Sequence, residues 1–250
     1  MRGWLAAGRV RVDGVVARRG DMTVPAAARV TLEAPTPAFP PALRLVHEDD
    51  DMLVIDKPPG LLTVATERER ERTAYRLLFD YVAAQGRGPR RPRLFVVHRL
   101  DRETSGLLVF AKSPAVKRAL QEQFAARRVE RGYVAIVEGR VRDDAGTLRG
   151  RIAEDPVSLR VRVSPRGREA ITEYRVLERR AHTTVLELSL RTGRRGQIRA
   201  QLAARGHPIV GDRAFGARSD PLGRVALHAA VLGFSDARGR LQRFRSRHAF

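Results

Sequence analysis

Apolar and polar positions alternate along this chain in short runs, separated by glycine- and proline-rich punctuation, and the runs predict more strands than helices. Over residues 184–190, Leu186, Leu188 and Leu190 fall on one face while Glu187 and Ser189 fall on the other, the period of a half-buried strand. Residues 52–55, 94–97, 107–110, 133–137 and 226–234 are short apolar runs that read as strands, and 146–177 reads as several short β segments. Helical spacing appears three times. It runs through Leu77, Leu78, Tyr81 and Val82 in 73–85, through 114–127 behind a Ser113 cap and Pro114, and through 197–205 up to Gly206. Strands that come in runs, rather than alternating one for one with helices, predict an α+β fold with a mixed, mainly antiparallel sheet.

The first 35 residues read as a small basic β unit. Val10–Val12 and Val15-Val16 flank Asp13-Gly14, a hairpin-type dipeptide, and a third short strand follows at 29–32. Prolines at 35, 37, 40 and 41 make 36–42 a stiff linker, so the main domain is expected over 43–250. Residues 86–93 form a basic, breaker-rich loop, and 67–72, alternating Glu and Arg, form a solvated self-neutralising segment.

Charge narrows the function. Forty-eight Lys and Arg against 28 Asp and Glu leave a formal net charge of +20, the electrostatic footprint of a protein that meets a polyanion. The absence of cysteine excludes disulfides and thiolate metal sites, and the six histidines lack metal-ligand spacing. No apolar stretch is long enough to span a bilayer and no leader pattern precedes Arg9, so a cytoplasmic protein without membrane contact is expected. A metal-dependent nuclease would need clustered carboxylates. The one acidic run, Asp49-Asp50-Asp51, sits at a strand entrance with its side chains pointing different ways.

The candidate chemistry lies in His98-Arg99-Leu100-Asp101, followed by Thr104-Ser105-Gly106, a polar loop between two apolar strands. An aspartate held there is both rigid and reachable, although on spacing alone an Asx turn accounts for it equally well. The segment 98–112 closely resembles the signature of the RluA family of pseudouridine synthases, an HRLD tetrapeptide, TSG, an apolar strand and a lysine. Further segments match in order: Lys57-Pro58-Pro59-Gly60, the stretch leading to Tyr133 and Gly139, Thr192-Gly193-Arg194 with Gln197-Ile198-Arg199, 206–212, and 224–229. Six ordered motifs over roughly 43–234 agree by chance far less readily than any one of them.

The resemblance implies a pseudouridine synthase fold and an RNA substrate, ribosomal rather than transfer RNA. It implies no cofactor, no metal and no obligate protein partner, and a monomer. It makes Asp101 the catalytic carboxylate, Arg199 the cation that keeps it ionised, and Tyr133 the ring that stacks on the target uracil. The chemistry agrees: breaking the bond between N1 and the ribose builds positive charge on the sugar, which a facing carboxylate stabilises. Arg99 is implied to help displace the target base, and His98, Leu227, Thr104, Gln197 and Arg194 to bind substrate or RNA. Read alone, Arg199 is a helix arginine, Tyr133 a half-buried aromatic, and Leu227 plain core. The chain departs from the family pattern in four places: Gly196 stands for a histidine, Gln201 for a second histidine, Phe215 for tyrosine and Arg131 for lysine. Residues 8–32 resemble the second half of the alpha-L RNA-binding motif. A non-enzymatic RNA-binding factor that keeps the fold is the competing reading.

Overall fold

The computed structural model describes residues 2–6, 9–32, 37–85, 93–155, 161–247 and 250. Most of the basic loop at 86–93 and the start of the proline-rich stretch lie outside the described residues. The chain divides into two compact units, Met1–Ala38 and Phe39–Phe250. In the first, a short helix α1 (Arg2–Ala6) precedes β1 (Val10–Val12), β2 (Val15–Ala17) and β3 (Val30–Leu32), which form an antiparallel sheet in the order β2-β1-β3. The hairpin turns on Asp13 and Gly14, both with positive φ, as a tight two-residue connection requires.

The second unit is built on one large sheet. Its elements in chain order are β4 (Arg44–Glu48), β5 (Met52–Lys57), α2 (Ala74–Gln85), β6 (Phe95–Val96), β7 (Ser105–Ala111), α3 (Pro114–Ala125), β8 (Glu130–Glu138), β9 (Ala145–Glu154), β10 (Val161–Val163), β11 (Arg168–Arg179), β12 (Thr183–Leu190), α4 (Gln197–Ala204), β13 (Leu227–Ser235) and β14 (Leu241–Arg245). A 3-10 turn, Arg213–Phe215, follows α4. The eleven strands run β10-β9-β11-β12-β8-β13-β7-β5-β4, with β14 added to β13 and β6 to β7. Its strand-to-strand ladders are antiparallel except β13 with β7. The expected α+β class with a mainly antiparallel sheet is borne out. The region 146–177 differs from expectation: it holds two long strands, β9 and β11, around the short β10.

The core follows the two-residue period of the strands. Leu53 and Ile55 of β5 and Leu108 and Phe110 of β7 pack under α2 with Leu78 and Val82. Met52, Val54, Leu107 and Val109 point to the other face, against Val116 and Leu120 of α3. All seven residues of β7 are buried, so this strand is covered on both faces and reads as a continuous apolar run. A third cluster joins β8, β12 and β13 to Ile198 and Leu202 of α4. Ser113 caps α3 by accepting from the Val116 N–H at 3.2 Å, as its sequence predicts. No described helix is long and apolar enough to cross a membrane.

Candidate active site

The central strands bring one row of residues into line: Leu188 of β12, Tyr133 of β8, Ala229 of β13, Gly106 of β7 and Lys57 of β5 are successive cross-strand partners. The row depends on Gly106. Its φ is +112°, and a Cβ there would lie 2.3 Å from the Ala229 carbonyl oxygen, so β7 and β13 approach each other only because the residue is glycine. Their parallel ladder is two pairs long, His228 with Ser105 and Ala229 with Gly106. The loop carrying Asp101 leads directly into this ladder.

That loop is held from below. Leu100 is buried, and its backbone is clamped by Thr63, whose hydroxyl donates to the Leu100 carbonyl at 2.8 Å and accepts from the Leu100 N–H at 3.2 Å. The fully buried Lys57 ammonium donates to the carbonyls of Pro58, Leu61 and Arg102, and the Gly60 N–H donates to Arg102 as well. Burial pulls Lys57 down to about 8, against the opposing charges of Glu103, Asp101 and Asp56. The KPPG turn is thus stitched to the residue after Asp101. The Thr104 N–H closes the loop on the Asp101 carbonyl at 3.2 Å.

Asp101 projects from the loop with its side chain 22% exposed, and Arg199 Nη1 lies 3.7 Å from its Oδ2. Arg199 extends from α4 and is fixed by a second carboxylate. Its Nε and Nη2 each donate to Asp212 at 2.7 Å, and the Asp212 side chain is 1% exposed. The guanidinium also lies over the Phe215 ring, 4.6 Å from its centroid. Burial works against the Arg199 charge, but the hydrogen bonds and charge of Asp212, with Asp101 and Glu103, outweigh it and hold its pKa above the ordinary value. The position of Asp212 in a GD dipeptide belongs to a recognisable motif; its grip on Arg199 across a turn left no mark in the sequence.

Asp101, Thr104, Tyr133, Arg194, Arg199 and Leu227 line one cleft of about 280 Å³, with Arg99 at its rim. Tyr133 stands where the β5–β7 core meets the β8–β12 core. Burial pushes its phenol up to about 12, with Arg131 opposing and Asp101 adding, so the hydroxyl stays protonated near neutral pH. Arg131 itself donates to the Leu190 carbonyl at 3.2 Å and leans over the Phe124 ring. Among the described residues no group of three or more His, Cys, Asp or Glu side chains is placed to hold a metal ion.

Two residues expected to contact RNA have other work. Gln197 is 3% exposed and lines the cleft, yet its amide is fully engaged. Its oxygen accepts from Thr192 and from the Arg194 N–H, and its nitrogen donates to Ile171 and Thr172, which fixes the loop before α4. His98 does not line the cleft. It stacks on Phe124 with centroids 4.7 Å apart, and its Nε2 accepts from the Val109 N–H at 3.3 Å. Burial, then Arg131, lowers His98 to about 3, leaving a neutral ring suited to packing. The Gln197 amide is thus spent inside the protein, and His98 packs outside the cleft.

The departures also find physical accounts. Gln201 is buried, accepts from the Thr172 hydroxyl at 2.6 Å and donates to the carbonyls of Leu148 and Ala170, cross-linking α4 to β9 and β11. Gly196 caps α4 in a left-handed conformation with φ at +59°. Arg195 beside it is ion-paired with Glu154 at the cleft edge.

Comparison with known proteins identifies the family. The model of a family described as RNA pseudouridylate synthase matches residues 51–204. A protein of Xanthomonas campestris named ribosomal large subunit pseudouridine synthase D is 40% identical over 257 residues, covering 92% of this chain and 75% of that protein. An uncharacterised RNA pseudouridine synthase of Bacillus subtilis is 38% identical over 190 residues, covering 75% of this chain; the matched part is 62% of the relative's length. Among solved structures, human RNA pseudouridylate synthase domain containing 1 superposes with a TM-score of 0.69 at 25% identity, over 83% of this chain and 84% of that one.

Proposed function

Because the chain belongs to the RNA pseudouridylate synthase family, we propose that it isomerises specific uridines of a folded RNA to pseudouridine, with Asp101 as the carboxylate that meets the ribose C1′. The observation that carries this reading is the Asp101–Arg199–Asp212 line at the edge of a cleft walled by Tyr133 and Leu227. Arg199 holds a negative charge facing the sugar, in a setting where water is partly excluded and charge interactions are strengthened. When the bond from N1 to C1′ breaks, positive charge on the ribose is stabilised or captured by Asp101. The detached uracil turns in the cleft and C5 bonds to C1′. The proton leaves C5 and N1 gains one, so the reaction is an isomerisation that draws on no oxidant.

Tyr133 enters as a neutral hydroxyl on a ring that stacks on the uracil and can donate but not accept the C5 proton at neutral pH. Leu227 supplies the apolar side of the base pocket. Arg99, exposed at the rim, is placed to fill the space a flipped base vacates. Arg194 lines the cleft, half-buried with its Nε donating to the Glu169 carbonyl, and in this reading it meets the RNA backbone. Ribosomal RNA is the favoured substrate because relatives from several bacteria are named for the large ribosomal subunit. The net charge of +20 suits a partner of that kind, and the site of action is then the cytoplasm. The basic N-terminal β unit is a further RNA contact in this reading.

Loss of the C5 hydrogen gives a direct assay: RNA labelled with tritium at uridine C5 releases label once per turnover. Asp101→Asn and Asp101→Ala are expected to abolish release while retaining RNA binding, and an Asp101→Ala protein working at the wild-type rate ends this mechanism. Mapping pseudouridines in ribosomal and transfer RNA with and without the gene identifies the substrate. If no site is lost in any RNA, the protein is a non-enzymatic RNA-binding factor instead.

A further inference from the structure

Two chambers meet at Asp101. One is the cleft of about 280 Å³ just described; the other, of about 1040 Å³, opens beyond Gly196. Arg99, Leu100, Asp101, Arg195, Gly196 and Arg199 line both. Residue 196, which lines both chambers, has no side chain to extend into either. A Cβ built there would meet Val161 at 3.5 Å and Phe215 at 3.6 Å, so any longer side chain would run between those two residues, both of which line the larger chamber. The family pattern places a histidine at this position.

We propose that the larger chamber is a subsite for the nucleotide next to the target uridine, splayed out of the RNA stack, and that Gly196 determines which neighbours it accepts. This rests on the reading of the chain as a synthase acting on RNA. Three observations lead there. The chamber shares the Asp101 wall, so its occupant is adjacent in the RNA to the ribose under attack. It is far larger than a single uracil needs, while the smaller cleft already fits one base. Its lining also combines the two chemistries of a nucleotide. Arg102, Arg162 and Arg213 join the shared Arg99, Arg195 and Arg199 around it. Arg195, Arg199 and Arg213 are paired with Glu154, Asp212 and Asp220, and the arginines still outnumber the lining carboxylates Asp101, Glu103 and Asp155, which suits a phosphodiester. Val64, Val161 and the Phe215 ring offer apolar and aromatic surface to a base.

The test uses a stem-loop RNA containing the mapped target uridine, tritiated at C5, and two copies with an abasic ribose immediately before or after it. For the wild-type protein, one of the two abasic substrates is expected to lose roughly 10- to 100-fold in kcat/KM, the scale of one lost base-stacking contact. Gly196→His and Val161→Phe fill the gap from opposite walls, and the second places no demand on a left-handed backbone. Both are expected to slow turnover of the intact RNA and to bring the ratio between intact and abasic substrate toward one. A wild-type ratio within twofold of one at both neighbours overturns the inference, as does an unchanged ratio in both variants. Should either variant fold poorly, the wild-type ratio still decides. A protein that releases no tritium from any RNA refutes the synthase reading, and the subsite with it; one that turns over its target with no neighbour dependence refutes the subsite alone.

Discussion

Replacing Asp212 by Asn probes the electrostatic frame of the site with almost no change of shape. The carboxylate is 1% exposed and receives two charge-assisted hydrogen bonds of 2.7 Å from Arg199. Asparagine keeps one oxygen to accept one of them and turns an N–H₂ donor toward the other guanidinium donor. Removing one partner of a buried pair costs about 3–5 kcal/mol, because the remaining charge is left uncompensated. Part of that is recovered when Arg199 swings toward the nearest other carboxylate, Asp101, now 3.7 Å away. A net loss of about 3 kcal/mol lowers the melting temperature of a domain this size by roughly 6–12 °C. The chemical consequence is larger than the thermal one. Arg199 drawn onto Asp101 covers the oxygen that faces the ribose, and a displacement on the order of 1 Å at a reacting group costs about 100-fold in rate. The expected result is tritium release down by about 10² at a temperature where circular dichroism shows Asp212→Asn fully folded. Arg199→Lys, which keeps charge but loses the bidentate grip, should fall by a similar factor. A variant that melts within a degree of wild type and turns over within threefold of it would refute the account of Arg199 as an arginine aimed by Asp212.

Two further outcomes test the supports of the loop. His98 is lowered to about 3 from 6.5, so the unfolded chain binds a proton between those values that the folded one refuses, and stability falls as pH drops below about 6.5. At pH 5 this one group removes at most about 2 kcal/mol, and urea titrations of His98→Phe against wild type should show that share of the acid slope disappear; parallel slopes would refute it. Thr63→Val removes both hydrogen bonds to Leu100, leaving its buried N–H and carbonyl unpaired. It should lower kcat by about tenfold, since it frees the loop that holds Asp101 in place; a change confined to KM would count against a positioning role.

Much of the frame was legible because it follows from periodicity. Alternation placed β12, continuous apolar runs placed β5 and β7, and Ser113-Pro114 marked the start of α3. The edge strands β4 and β14 were missed because charged residues interrupt their apolar positions, as in Arg44-Leu45-Val46-His47-Glu48. At the site, Asp101, Tyr133, Arg199 and Leu227 were named from motif resemblance, and the fold gathers them in one cleft. What escaped was the wiring behind them. Gln197 and His98 were named as RNA contacts from the motif resemblance, which carries no information on burial; in the fold the Gln197 amide is engaged internally and the His98 ring stacks on Phe124. Thr63 sits 37 residues from Leu100 and Asp212 sits 13 from Arg199, each in irregular backbone where no period relates partner to partner.

The two-pair ladder between β7 and β13 has a bearing on how the protein comes into being. The strands β4 to β7 flank the loop that carries Asp101, while β8 and α4 carry Tyr133 and Arg199, and among the described strands only β13 joins one set to the other within the sheet. Ser105 and His228, which meet in that ladder, are separated by 123 positions, so a ribosome delivers the joining strand after both sets have emerged. A nascent chain halted before residue 227 therefore holds Asp101, Tyr133 and Arg199 without the strand that brings them together. The strand that unites them is made after all three, and a cut that frees β13 is expected to abolish tritium release.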